Sequence, residues 1–186
     1  EYILGQLRQE LDLHYRLVKA DSSMRIDDHR VSRYRFCHIL FQKYLYSQLD
    51  VLQRAELHEK IGYALEAHYQ EIVGEISAPL AIHFELAGLP TKAIKYLEMA
   101  GQRSIRFSSF DIAIARFKKA LLLLEDQPES EEKYQQEFSL LMGLSVPLMF
   151  KSGFASTELR TISNRMMALL EILPLNVEMF PVLHTL

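Results

Sequence analysis

Two stretches centred on histidine carry residue types that could do chemistry. His58-Glu59-Lys60-Ile61 opens like a zinc-protease helix, in which histidines four residues apart hold the metal and the glutamate between them acts as base. Position 62 is Gly, so the second ligand is missing and the stretch predicts a helix without a metal site. The other stretch is Arg33–Tyr46, RYRFCHILFQKYLY. Its first half alternates, with Tyr34 and Phe36 on one face and Arg33, Arg35 and Cys37 on the other, which predicts a strand. Its second half places Ile39, Leu40, Phe41, Tyr44 and Leu45 at helical spacing. His38 stands at the joint. There it is either a packed residue or an imidazole donor for an anion such as a phosphate.

Other catalytic arrangements are missing. A phosphate loop needs clustered glycines so that backbone N–H groups can approach the phosphates. The seven glycines, at 5, 62, 74, 88, 101, 143 and 153, are scattered and no GxxxxGK occurs. The chain by itself is therefore expected neither to hold nor to hydrolyse ATP. Gly143-Leu144-Ser145-Val146-Pro147 has the outline of a nucleophile elbow but lies in a helical pattern, not at a strand-to-helix turn. No catalytic residue, metal ligand or cofactor is expected within these residues. His58 and His68 lie on or beside the apolar stripe of one helix and are expected half-buried, bonded to a carbonyl or carboxylate; His83 is expected between neighbouring helices.

The charge balance narrows the partners. With 24 acidic against 21 basic residues the net charge is -3, so no global field draws the molecule onto nucleic acid or anionic lipid. Local basic groups remain. Lys19, Arg25, Arg30, Arg33 and Arg35, with His29 among them, could touch DNA phosphates, Arg33 and Arg35 foremost; offset by Asp21, Asp27 and Asp28, they equally suit a solvated or intramolecular face. Arg103, Arg106, Arg116, Lys118 and Lys119 read as a solvated helix surface. The single cysteine, Cys37, excludes an internal disulfide and suits a reducing, cytoplasmic setting. No apolar run reaches the roughly 18 residues that would span a bilayer, so no membrane contact is expected. The chain opens at Glu1 and ends within Val182–Leu186 without a polar tail, and is expected to be a piece of a longer protein.

The elements that must position these residues follow from periodicity. Tyr2–Leu13 has a helical spacing, His14–Lys19 and Val31–Cys37 read as strands, and Asp21–Arg30 reads as a polar loop between them. Downstream only helices are expected: Val51–Ile72, closed by Gly74; Ala78–Ala87, opened by Ser77 and Pro79 and stopped at Gly88 by a left-handed cap; Lys92–Phe107; Phe110–Leu124; Glu131–Lys151 after the loop Asp126–Ser130; and Thr157–Leu173. Short loops between helices of this length predict antiparallel pairs. Ala93, Leu97 and Ala100 reappear as Ala113, Phe117 and Ala120, small residues flanking a large one. The parse is Lys95–Phe107 paired with Asp111–Leu124, and Phe138–Lys151 paired with Thr157–Leu173. The fold class is thus mainly α: a winged-helix remnant with a β-hairpin, then an antiparallel helix-pair solenoid like a tetratricopeptide array. Pro174–Leu186 is apolar enough to begin a further helix, and that open end could self-associate.

Three ordered segments carry a resemblance: Tyr34–His38, Gln53–Ile61 and Ala81–Tyr96 (AIHFELAGLPTKAIKY). They resemble the region just after the ATPase core in bacterial STAND-class signalling NTPases, the relatives fused to class III adenylate cyclases, kinases or LuxR- and MalT-type output domains. The resemblance covers residues 1–125 and extends more loosely over 131–186. It implies three parts: residues 1–49 as the end of a winged helix, 50–90 as connecting helices, and 91–186 as tetratricopeptide-like repeats. It also implies an upstream NTPase domain that binds ATP or ADP in the parent protein, with His38 matching the histidine that contacts the β-phosphate of ADP. Cys37 and Ile39 stand where relatives often carry Arg and, in the eukaryotic branch, Asp. The first helix of each pair would line a groove for a protein or peptide partner, and here that face carries Lys95, Glu98, Gln102 and Ile105. The expected function is a regulatory, protein-interaction segment that couples nucleotide state to partner binding. The alternative is a DNA-binding regulator acting through the basic wing.

Overall fold

A computed structural model describes residues 17–26 and 29–173, with 20–26 and 29–33 by backbone alone. The expected helix Tyr2–Leu13, most of the expected strand His14–Lys19 and the segment Pro174–Leu186 lie outside the described residues. The chain divides into two compact units, Glu1–Arg54 and Ala55–Leu186.

The first unit holds an antiparallel hairpin, β1 (Val18–Ile26) and β2 (His29–Phe36), then α1 (Ile39–Gln48). Both strands run through the expected loop Asp21–Arg30, pairing Met24 with Val31 and Ile26 with His29. A ladder is made of backbone groups and asks nothing apolar of its side chains, so a polar stretch can still be strand. An irregularity between Ala20 and Ser22 resets the register. Tyr34 and Phe36 are half-buried while Arg35 and Cys37 are exposed, the alternation expected of this strand. Cys37 N–H donates to Leu17 O (2.9 Å), which ties the end of β2 to the residue before β1. On α1 no residue is buried; Leu40 and Tyr44 are more than half exposed.

Six helices follow: α2 (Val51–His68), α3 (Ser77–Leu86), α4 (Pro90–Arg106), α5 (Phe110–Glu125), α6 (Glu131–Ser152) and α7 (Thr157–Ile172). The expected helix Val51–Ile72 ends early. Tyr69 leaves helical geometry (φ -112°, ψ 32°), and Gln70–Ile72 tightens into a 3-10 turn. Ser77 is the first helical residue of α3, and its hydroxyl donates to Gly74 O rather than capping the helix. Gly88 adopts φ +71°, the left-handed stop expected there, and Pro90 then starts α4 at a position where its missing N–H costs nothing. Ser130 and Ser156 cap α6 and α7 by accepting from Lys133 N–H and Leu159 N–H. Gly143–Pro147 lies inside α6.

The helices form antiparallel hairpins. The start of α5 meets the end of α6, where Phe110 stacks on Phe150 (centroids 5.0 Å apart) and Asp111 pairs with Lys151. Alternate helices run side by side in the same direction. Glu98 on α4 accepts from Ser139 on α6, and one turn further along both helices Gln102 approaches Gly143. Charged pairs join the other layer: Glu85 on α3 to Lys119 on α5, and Lys118 on α5 to Glu158 on α7. The architecture is therefore a two-layered, repeat-like stack with α2, α4 and α6 in one layer and α3, α5 and α7 in the other.

The core explains the layering. Leu80 and Phe84 on α3, with Ala87 at its C-cap, have the same spacing as Ala113, Phe117 and Ala120 on α5. All but the half-buried Ala87 are buried. Glycines on the opposite layer let each aromatic ring approach backbone: Gly62 on α2 meets Phe84, while Gly101 on α4 and Gly143 on α6 both meet Phe117. Each such ring contributes roughly 1.5–3 kcal/mol by leaving water, and only a residue without Cβ leaves room for it.

Candidate partner-binding face

Helix α4 sits between two neighbours of its own layer, and a charged cluster fixes one flank. Glu66 on α2 accepts from Lys92 Nζ at 2.5 Å and from the Tyr96 hydroxyl. The Lys92 ammonium lies over the rings of Tyr63 (4.5 Å) and Phe84 (4.9 Å). Burial works against the Glu66 carboxylate, but the bonds from Lys92 and Tyr96 and the lysine charge prevail and hold it below the usual range. Burial and then the Glu66 bond push the Tyr96 phenol up. The ring of Tyr96 stacks on Phe84 with 12° between planes. Sequence reasoning missed this cluster because Glu66 stands 26 and 30 residues from its two donors, beyond any local pattern.

The four expected groove residues divide. Lys95 is exposed, its ammonium 5.3 Å from the Tyr96 ring, and Gln102 is exposed beside α6. Glu98 is half-buried and held by Ser139 (2.6 Å), while Ile105 packs against the core cluster. Two of the four are thus taken up in holding the stack. Arg106, exposed on the same side of α4, joins Lys95 and Gln102 on the open face. A helical wheel drawn with the face centred on residue 106 would have included it.

The second basic group is not the plain solvated surface expected. Arg116 Nη1 donates to Ala100 O (2.8 Å) and Ser104 Oγ (2.5 Å), and Lys118 and Lys119 are the ion-paired residues named above. Of this group, Arg103 and Arg106 form neither a carboxylate pair nor a bond of the kind Arg116 makes among the described residues.

The histidines of α2 and α3 are half-buried, and two of them meet across helices. His58 and His83 bond to each other, Nδ1 to Nδ1 at 2.9 Å. Their ring centroids are 5.1 Å apart, close to the largest separation such a contact allows, so the two nitrogens point at each other with room for one proton. That head-on geometry suits a shared hydrogen bond; metal ligands would converge on a third point. His68 stands edge-on to Tyr69, and its buried Nε2 has no hydrogen-bond partner among the described residues. No group of three potential metal ligands occurs among them.

In the first unit His38 is exposed at the N-cap of α1, edge-on to Phe41 at 6.4 Å, with no side-chain cap bond. Arg35 is exposed directly across the ladder from exposed Lys19. Arg33 pairs with Ser22 through its backbone, and its side chain lies outside the description. No helix among the described residues is long and apolar enough to cross a membrane. Set against known proteins, the chain matches no family model, no curated protein and no solved structure.

Proposed function

We propose that the chain is a non-catalytic regulatory and protein-interaction segment of a larger STAND-type NTPase. Its first unit would be the end of a nucleotide-sensing winged helix, and its second a tetratricopeptide-like array that binds a protein or peptide in the cytoplasm. The observation that supports this reading best is the bracing of α4. Glu66 grips one flank and Ser139 the other, so Lys95, Gln102 and Arg106 stand outward on a helix that cannot turn. A polar face on a rigid support suits partner recognition, because little side-chain and backbone freedom is left to lose on binding. The exposure of His38 fits a residue meant for the nucleotide of the upstream domain.

The test restores the upstream residues and compares ADP affinity of the parent chain with that of His38→Ala. A loss of about tenfold, or about 1.4 kcal/mol, is expected. Unchanged affinity in a folded variant removes His38 from the nucleotide site.

One observation favours a second reading, DNA binding by the wing: Lys19 and Arg35 are exposed cross-strand neighbours, so two cations stand close enough for one phosphate to meet both. Duplex affinity should then fall steeply with salt and vanish in Arg33→Ala/Arg35→Ala. Weak, salt-independent binding would discard it.

A further inference from the structure

The turn after α2 and the end of α4 line an open cleft. Glu71, Ile72 and Glu75 face Arg103, Arg106 and Phe107 across a cavity of about 330 Å³, within the range of small-molecule sites. Among the described residues no ion pair joins the two walls; neither arginine has a carboxylate, and neither glutamate a basic nitrogen, within 4.0 Å. Opposite charges are thus held apart with room between them. The basic side is crowded as well. Arg116 is pressed downward in pKa by burial and then by the neighbouring Arg103 charge, so this end of α4 has guanidinium repelling guanidinium. An incoming carboxylate relieves that repulsion. The remaining wall residues are Gly74 and two apolar side chains open to solvent, Ile72 at 45% exposed and Phe107 at 68%.

We propose that this cavity binds a free α-amino acid with an apolar side chain. The carboxylate would sit on Arg103 and Arg106, the ammonium on Glu71 and Glu75, and the side chain against Ile72 and the Phe107 ring. The charge pattern selects this class. A simple anion gains the arginines but meets the glutamates, and a simple cation meets the reverse. Only a small molecule with both charges close together gains on both walls, through charge-assisted bonds. An internal peptide segment lacks adjacent backbone charges altogether. Because one wall follows α2 and the other ends α4, occupancy would tie two helices of one layer together. The site shares Arg106 with the open face of α4, and it does not rest on the assignment to an NTPase.

Calorimetry on the 186-residue chain tests it, with L-leucine, L-phenylalanine, N-acetyl-L-leucine and L-leucinamide as probes. Saturable binding of leucine or phenylalanine is expected, with each derivative, lacking one charge, at least about tenfold weaker. Arg106→Gln and Glu75→Gln, both at exposed positions, should each weaken binding by about tenfold without moving the thermal midpoint of the empty protein. Absence of binding by both amino acids overturns the proposal. So does acetyl-leucine binding as tightly as leucine, which would leave an anion site, and so does binding of an acidic peptide where the free amino acids fail.

Discussion

The ring of Phe117 occupies the space that a side chain would need at Gly101: a Cβ built there would stand 2.7 Å from Cε2. Gly143 meets the same ring from the other side of the layer. One aromatic on α5 therefore fixes the distance between α4 and α6. Ala at 101 or 143 would gain up to about 1 kcal/mol of helix propensity and lose more, because a ring wedged between two backbones cannot step aside. Gly143→Ala should cost about 1–3 kcal/mol, read as a lower urea midpoint, and Phe117→Leu added to it should return part of the loss. A Gly143→Ala protein as stable as the parent would mean that the helices give way.

The His58–His83 contact predicts a pH dependence of stability. Burial lowers the pKa of His58; burial and then the charge of His58 lower that of His83, both from an ordinary value of 6.5. The folded state then binds fewer protons than the unfolded state below pH 6.5, so stability is full above that value and falls as pH drops towards the lowered values. The two histidines titrate as a pair, since the single gap between the nitrogens holds one proton. Thermal midpoints between pH 7.5 and 5 should decline in the parent and decline less in His83→Asn. Parallel curves for the two proteins would count against the pair as the source.

Removing one member of the Glu66, Lys92 and Tyr96 cluster should loosen α2 from α4. Lys92→Met keeps a chain over Tyr63 and Phe84 but leaves Glu66 with one donor, and should cost roughly 1–3 kcal/mol. Tyr96→Phe should cost about 0.5–1.5 kcal/mol. Since the Glu66 pKa is lowered from 4.5, its contribution is present above that pH and is lost as pH falls through the folded value. Chemical denaturation at pH 7 and pH 3.5 checks both points. A difference between parent and Lys92→Met that persists unchanged at pH 3.5 would refute the ionic part.

Ser108, in the bend between α4 and α5, has φ +54°, a left-handed conformation that costs a residue with a Cβ roughly 1 kcal/mol. Ser108→Gly should raise the thermal midpoint by a few degrees, as the αL strain relieved exceeds the added freedom of the unfolded chain. No rise, or a fall, would place the strain elsewhere.

Glycine, proline and the 3.6-residue period are local signals, and they were enough to place the helices from α3 onward within one or two residues. Gly88 is the clearest instance, since its left-handed φ follows from its position after an apolar run and before Pro90. Local signals misjudged the hairpin. Asp21–Arg30 is polar, yet its backbone pairs along the ladder, and pairing depends on a partner strand that composition does not report. They also misjudged the exit from α2, where Tyr69 breaks the helix three residues before the apolar pattern stops.

What the sequence by itself determined is therefore the mainly helical class, the number and order of the described helices downstream of the hairpin, and the polar side of α4 that carries Lys95 and Gln102. The tertiary structure decided which distant residues meet. Glu98 became a support for α6 and not an open groove residue. His58 found His83, and Glu71 and Glu75 came to face Arg103 and Arg106. The physical reason is the same in each case. Periodicity fixes which way a side chain leaves its own helix, but its partner is set by how helices stack, and here glycines facing aromatic rings set that stacking.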